Sequence, residues 1–389
     1  MAFSQKPSIK IFLSAGEASG DLHAAGLVRA IKSIAPSSKI TCLGGPQLKQ
    51  AGASVLVDNR DMAVVGLFEV FRHAKVIWCA WRKIKRHLVQ ERPDLLILID
   101  FPDFNFLLAR QAHRLGIKVL YYIPPQIWAW RRGRVHTLKR LVDEMVVILP
   151  FEEEFYRRYG VQAHFLGHPL LDVVEAAREE REGRYRTRST GPFVGLLPGS
   201  RHSEIRSLLP EMLKTASLLI RRLPEISFLL PVAPTLDSRA FEREVLRSGL
   251  PVRLVEGDTY GVIRGCDLVI TASGTVTLET AILGVPMIIV YKVSHFSYYL
   301  GRHLIKVKHV GLPNLIAGRG IVPELLQHEA TAERIAAEAL EMLLDPKKLD
   351  AQRQELAKIR SHLGEPGVGA RVAGLVMLMK TEKLKDQPC

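Results

Sequence analysis

Short apolar runs alternate along this chain with longer stretches of mixed polarity, and their spacing predicts alternating strands and helices. In the N-terminal half the strand-like runs are Ile9–Ala15, Ile40–Leu43, Leu95–Ile99, Val119–Ile123 and Met145–Leu149. Apolar positions three and four apart predict helices between them at Asp21–Lys32, Leu67–Gln90, Phe104–Leu115 and Phe151–Tyr159. A second series begins later with Phe193–Leu197, Phe228–Val232, Val252–Val255, Leu268–Ala272 and Met287–Tyr291. Strand–helix alternation of this kind predicts parallel, doubly wound sheets. Between the two series, EAAREEREGRYRTRSTG ends at Gly191, is charged and has almost no large apolar residue. It predicts a linker over 176–191, which places one Rossmann-like domain at 1–175 and a second at 192–365 around a cleft. Residues 330–380 read as helices with a glycine-rich break at Gly364–Gly369, leaving 366–389 as a separate helix and tail.

The clearest unit is DLVITASGTVTLETAILGVPMIIVYK, from Asp267 to Lys292. A buried-type strand turns through Ser273, Gly274 and Thr275 into a helix that Gly284 and Pro286 stop before the next strand. The turn lies at the carboxyl end of a strand, where open α/β sheets bind ligands. Thr275 is placed to cap the helix, with backbone N–H groups left for a phosphate. Glu279 is about one turn further on. It reads equally as an acceptor for a ribose hydroxyl or as a solvated side chain.

Composition adds one departure from the ordinary. At 389 residues the chain needs two domains, and 47% hydrophobic with 24% charged residues is usual for a globular protein. The formal charge of +14 is not, and it calls for an anionic partner: nucleic acid, acidic lipid or a phosphorylated substrate. Cys42, Cys79, Cys266 and Cys389 share no metal or redox spacing and read as reduced packing residues of a cytosolic protein. No signal-peptide pattern opens the chain, and no window approaches ~20 uninterrupted apolar residues.

Four further stretches carry candidate chemistry. Gly16-Glu17-Ala18-Ser19-Gly20-Asp21 follows the first strand but lacks the G-x-G-x-x-G spacing, which argues against a nicotinamide cofactor. Its glycines permit close approach of a ligand, Asp21 is placed to cap the next helix, and Glu17 has no capping task. In LLILIDFPDFN, Asp100 ends a buried strand, where a carboxylate can serve as a general base. Asp103 precedes a helix and has N-capping as its simpler role. The D-x-x-D spacing is not a D-x-D metal motif, and no metal is expected. The loop Tyr121–Trp130, with Gln126 and Trp128, would either wall a sugar or acyl site or merely pack. Leu197-Pro-Gly199-Ser200-Arg201 ends another strand with a flexible turn and a forked cation suited to phosphate. Residues 62–88 add an amphipathic helix. Phe71, Ala74, Ile77, Trp78, Trp81, Ile84 and Leu88 share one face, and Arg72, Lys75, Arg82, Lys83 and Arg86 another. Such a helix either lies on an anionic leaflet or packs on the sheet.

The motifs GEASGD (16–21), IDFPDFN (99–105), WAW (128–130), LPGSR (197–201), SGTVTLE (273–279) and LPNLIAG (312–318) occur in this order over nearly the whole chain. Together they resemble the lipid-A-disaccharide synthases, GT-B glycosyltransferases of Gram-negative bacteria; Pro124 departs from that pattern, where Ser is more frequent. The resemblance implies an inverting transfer of 2,3-diacylglucosamine from UDP to the 6-hydroxyl of 2,3-diacylglucosamine 1-phosphate (lipid X), without metal or cofactor. It implies Asp100 as general base, with Gly16, Glu17, Ser19, Gly20, Asp103, Gln126 and Trp128 around the acceptor. Gly199, Ser200, Arg201, Ser273, Gly274 and Thr275 would hold the diphosphate, Glu279 the ribose, and Asn314 would help shape the donor site. Phe71, Trp78, Trp81, Arg82 and Arg86 would then touch an anionic membrane, on the cytoplasmic face of the inner membrane. The C-terminal helices could exchange between two copies in a homodimer. Two other classes fit part of the sequence. A UDP-sugar 2-epimerase would share the fold and nucleotide motifs, and a nucleic-acid-binding protein would explain the charge, although no recognition module is visible.

Overall fold

A computed structural model describes residues 8–62, 70–129, 131–178, 185, 191–232, 238–292 and 308–385. The chain divides into two compact units, Met1–Asp172 with Glu365–Cys389, and Val173–Gly364. The first is built on β1 (Lys10–Ala15), β2 (Lys39–Gly44), β3 (Ser54–Asp58), β4 (Leu95–Ile99), β5 (Lys118–Tyr122), β6 (Glu144–Val147) and β7 (His164–Phe165). The second contains β8 (Phe193–Leu197), β9 (Ser227–Val232), β10 (Val252–Glu256), β11 (Leu268–Ala272), β12 (Met287–Tyr291) and β13 (Glu324–Leu326).

The first sheet has the order β3-β2-β1-β4-β5-β6-β7 and the second β10-β9-β8-β11-β12-β13, with all described pairings parallel. Each series starts in the middle of its sheet, winds outward to one side, then returns across the first strand and continues to the other. The reversal opens a crevice at the carboxyl ends of β1 and β4 in one unit, and of β8 and β11 in the other. Central strands are covered on both faces, so β4 reads LLILI and β11 LVITA, every residue buried. β3, β7 and β13 have no counterpart among the sequence-predicted strands. They are edge strands with half-buried side chains, or only two or three residues long, so they lack a fully apolar run.

Two departures concern segments expected to stand apart. The helix Val368–Lys385 places Val368, Val372, Ala373, Val376 and Met379 in the core of the first unit, together with the helix Ala18–Ile34. Its start is fixed by Asp172, whose carboxylate accepts from the N–H groups of Gly367, Val368 and Gly369 at 2.6, 3.2 and 3.0 Å. Each of the larger apolar side chains contributes roughly 1.5–3 kcal/mol on burial, so the segment after 365 is part of the first unit. Within the expected linker, Tyr185 is buried in the second unit and its hydroxyl donates to Asp258 at 2.8 Å.

The amphipathic helix spans Val70–Glu91 and buries Ala80, Ile84 and Leu88 against the first sheet. Trp81 is half-buried, whereas Trp78 is 54% exposed, with the Arg82 guanidinium 4.6 Å over its ring. Trp78 therefore leaves the apolar face on which the periodicity put it. Arg86 is exposed, and the side chain of Phe71 lies outside the described residues, as does Trp130. Cys42 and Cys266 are buried; Cys79, expected to pack, is exposed.

Candidate functional site

In the first unit the register pairs Ala15 with Ile99, so the turn after β1 and the end of β4 lie side by side. Gly16 is required there, since a Cβ would stand 2.3 Å from the Phe101 ring. The following helix starts at Ala18, with Glu17 at its N-cap position and no side-chain capping bond. Glu17 and Ser19 are exposed, and Gly20 is buried. Asp21 is not the cap of this helix. It is 2% exposed, and its carboxylate accepts from Gly45, Gln47 and Leu48 N–H groups, so it caps the next helix, Pro46–Gln50.

Asp100 and Phe101 both adopt left-handed backbone conformations, at φ 46° and 47°. Two adjacent non-glycine residues in that region are strained, each by roughly 1–3 kcal/mol, and the surroundings hold them there. Asn105 donates to the carbonyls of Ile99 and Asp100 at 3.2 and 2.6 Å, and Ser14 donates to Asn105 at 2.6 Å. The Tyr121 hydroxyl adds a third bond, to the Asp100 carbonyl at 3.0 Å. The backbone is thus over-determined, and Asp100 itself is half-buried. Burial first, and the neighbouring Glu17 charge second, push the Asp100 carboxyl up to about 6. Asp103 does not cap its helix: the N-cap position of Pro102–Arg114 is Phe101, and Asp103 sits in the first turn. It is 77% exposed and paired with Arg134 at 2.5 Å and Arg131 at 3.8 Å.

The aromatic loop after β5 packs rather than standing open at Trp128. That indole is 9% exposed, meets the Phe151 ring edge-on at 4.9 Å, and donates to Glu152 at 2.9 Å. Glu152 also accepts from Ile148 and Leu149 N–H groups and is 1% exposed; burial pushes its carboxyl up to about 7. Gln126 remains exposed at the loop's tip. The sequence signal for Glu152 is its place three residues after the N-cap and just after Pro150, from which its carboxylate accepts the Leu149 N–H.

In the second unit Gly199 has φ 109°, and a Cβ there would meet the Glu204 carboxylate at 2.4 Å. Glu204 accepts from the N–H groups of Ser200 and Arg201 at 3.2 and 3.3 Å, which folds the turn onto the helix His202–Arg222. The Arg201 side chain stays 76% exposed, with one loose contact to Glu204 at 3.5 Å. Glu204, at the third helical position, was not singled out in the sequence; it accepts from the N–H of the N-cap residue Arg201.

Across the crevice the helix Thr275–Ile282 has Gly274, not Thr275, at its N-cap, and no side chain caps it. Thr277 instead donates its hydroxyl to the Gly274 carbonyl at 2.8 Å. The N–H groups of Thr275 and Val276 have no acceptor among the described residues, which leaves a helix N-terminus open to an anion. Ser273 donates to Val310 at 3.2 Å, tying this turn to the segment before the helix Leu312–Ala317. Glu279 is half-buried rather than freely solvated. Burial pushes its carboxyl up, opposed by the Tyr260 hydroxyl, which donates to one oxygen at 2.9 Å. Asn314 is 1% exposed, and its amide is taken up within the chain. It donates to Val322 and Glu324 and accepts from Ile321 and Val322. Its bearing on a ligand is therefore through the loop it folds. Tyr260 and Glu324 were not legible as site residues, since neither belongs to a motif.

Among the described residues no group of three or more His, Cys, Asp or Glu side chains could hold a metal ion. No described helix is long and apolar enough to cross a membrane. Residues 11–370 match the family model described as lipid-A-disaccharide synthetase. The lipid-A-disaccharide synthase of Geobacter sulfurreducens is 48% identical over 378 residues, 97% of this chain and 98% of that protein. That of Nitrosococcus oceani is 46% identical over 371 residues, covering 95% and 96%. Among solved structures, the UDP-GlcNAc 2-epimerase of Neisseria meningitidis bound to UDP-GlcNAc superposes with a TM-score of 0.66 at 12% identity, over 95% of this chain and 100% of that one. Acinetobacter baumannii MurG gives 0.58 at 16%, over 95% and 99%. These distant likenesses show the fold, GT-B with two Rossmann-like domains, while the sequence relatives decide between the transferase and epimerase readings. With its six motifs in order and a match over nearly its whole length, the chain belongs to the lipid-A-disaccharide synthase family.

Proposed function

We propose that this protein is the hexosyltransferase joining UDP-2,3-diacylglucosamine to 2,3-diacylglucosamine 1-phosphate, releasing UDP and the β-1,6-linked disaccharide 1-phosphate. The observation that carries the catalytic reading is Asp100: a strained, half-buried carboxylate at a sheet crevice, with its pKa pushed up to about 6. A base with that pKa is largely ionised at neutral pH yet strong enough to accept a proton from an alcohol as the alcohol attacks. Asp100 takes the proton of the acceptor 6-hydroxyl, and that oxygen bonds to C1 of the donor sugar from the face opposite UDP. The C1–O bond breaks, its electron pair stays on the β-phosphate, and the configuration at C1 inverts. Arg201 and the open N–H groups of Thr275 and Val276 receive the charge growing on the leaving diphosphate. Glu279, held by Tyr260, uses its other oxygen for the ribose. Gly16 and Glu17 border the acceptor side, and Gly199, Ser200, Ser273 and Gly274 shape the diphosphate turns.

Both substrates are acylated, and the exposed Trp78 stacked under Arg82, beside Arg86, supports docking on an anionic leaflet at the cytoplasmic face of the inner membrane. Exchange of the C-terminal helix between two copies, giving a homodimer, requires the second copy to offer the same seat. The reading is tested by UDP release from the acylated donor in detergent micelles with and without the acceptor. Acceptor-dependent release with a disaccharide product is the expected outcome; release that ignores the acceptor would make the protein an epimerase-like or hydrolytic enzyme. Vesicle co-sedimentation tests the membrane contact: Trp78→Glu should cut binding to anionic vesicles severalfold, and unchanged binding would remove this helix from the surface.

A further inference from the structure

Along the helix that follows Asp100 the first unit contains a recess of about 230 Å³, lined by Asp103, Phe106, Arg110, Arg134 and Thr137. Asp103, Phe106 and Arg110 are three and four apart on the helix Pro102–Arg114 and so share one face. Arg134 stands just before the helix Val135–Leu141, with its guanidinium 5.3 Å over the Phe106 ring. Phe106 meets the Tyr121 ring edge-on at 6.5 Å, and the Tyr121 hydroxyl holds the Asp100 carbonyl. The recess is therefore joined to Asp100 through two aromatic side chains in contact.

The polarity of the recess is cationic. Asp103 is its one carboxylate, shared between Arg134 and the nearby Arg131, while Arg110 is exposed and pairs with no carboxylate among the described residues. Arg134 is only 25% exposed and fixed by the Phe106 ring, so its forked donors are held ready. Asp103, at 77% exposure, can leave for water at little cost when a stronger acceptor arrives. A phosphomonoester dianion is such an acceptor, because it offers two oxygens in plane to one guanidinium and carries twice the charge.

We propose that this recess binds the 1-phosphate of the acceptor sugar, with Arg134 and Arg110 as donors and Asp103 as the counter-ion that the phosphate displaces. The inference rests on the transferase reading and deepens it. Gripping the phosphate beside Asp100 fixes the far end of the acceptor ring, which aims its 6-hydroxyl at the base and rejects sugars lacking the phosphate.

The test compares the phosphorylated acceptor with its 1-hydroxy counterpart on the wild-type enzyme, Arg134→Gln and Arg110→Gln, in detergent micelles. The wild type should favour the phosphorylated acceptor at least tenfold in kcat/KM. Arg134→Gln should lose at least tenfold on that acceptor, mainly in KM, and nothing on the 1-hydroxy form, with donor KM unchanged; Arg110→Gln should show a smaller loss of the same kind. Equal losses on both acceptors, or a wild type that does not discriminate, would overturn the proposal. Reduced binding of Arg134→Gln to anionic phospholipid vesicles with acceptor selectivity intact would instead make the recess a headgroup site. If the wild type releases no UDP with either acceptor, the transferase reading fails. Calorimetric titration with glucosamine 1-phosphate then decides the recess alone: binding that Arg134→Gln abolishes supports it, and no binding sinks it.

Discussion

The two units place their candidate side chains at the same topological position and give them opposite charge. After the first strand of each sheet comes a glycine turn, and the next residue to carry charge is Glu17 in one and Arg201 in the other. After the strand beyond the crossover, the first unit offers the Asp100 carboxylate and the second an uncapped helix N-terminus at Gly274. The backbone differs accordingly. Asp100 and Phe101 are forced into the left-handed region and pinned by Asn105 and Tyr121, whereas Gly274 is extended and a Cβ there would meet nothing within 4 Å. On the proposed function, one doubly wound scaffold makes a proton acceptor in one copy and an anion receptor in the other. The difference lies in a few residues after strand ends, which is why the fold shared with the epimerase and MurG does not by itself specify the reaction.

Replacing the carboxylate would break the comparison most severely. Asp100→Asn should lower kcat by roughly 10²–10⁴-fold with UDP affinity nearly unchanged, as measured by steady-state kinetics and UDP titration. The same variant should be more stable at alkaline pH. The folded-state pKa, about 6, is above the ordinary value of 3.8. Stability from this group is therefore full below about pH 3.8 and lost as pH rises through about 6. The loss reaches about 2–3 kcal/mol; denaturant melts at pH 8 should recover about 1–3 kcal/mol of it in Asp100→Asn. Near-normal turnover would remove Asp100 as the base.

On the other unit, Arg201→Ala should weaken UDP binding by roughly 10–100-fold, the value of a charge-assisted bond of about 1.5–3 kcal/mol. Calorimetry with UDP reads this directly, and an unchanged Kd would leave the anion site to the helix terminus alone. Tyr260→Phe should raise donor KM by roughly fivefold, about 1 kcal/mol, with kcat nearly constant, because it frees the Glu279 carboxylate from its fixed orientation. The smallest effect should come from Glu17→Gln. Removing that neighbouring charge lowers the Asp100 pKa, so the acidic limb of the kcat/KM profile, expected near pH 6, should move to lower pH. A stationary limb would show that the two carboxylates are not coupled.

Much of this was legible in the chain. Buried central strands announce themselves as unbroken apolar runs, and the turns that follow them contain Gly16, Asp100, Gly199 and Ser273 at predictable places. Two of the misplaced side chains share one cause, that a side chain's partner was far away in sequence. Asp21 caps a helix 25 residues later, and Asp103 pairs with Arg134 rather than with its own helix. Of the two readings the sequence left open for Trp128, the packed one holds, and the partner that ties it down, Glu152, is 24 residues away.

The sequence by itself determined the two α/β halves, the family, and the strand ends at which chemistry would sit, because periodicity and short motifs are local properties. Only the tertiary structure decided which of those groups is poised. Burial beside Glu17 raises Asp100, Tyr260 buries and orients Glu279, and the amide of Asn314 is spent inside its loop. It also returned the C-terminal helix to the first unit. Solvent exclusion and charge proximity depend on what packs nearby in space, and spacing along the chain does not encode that.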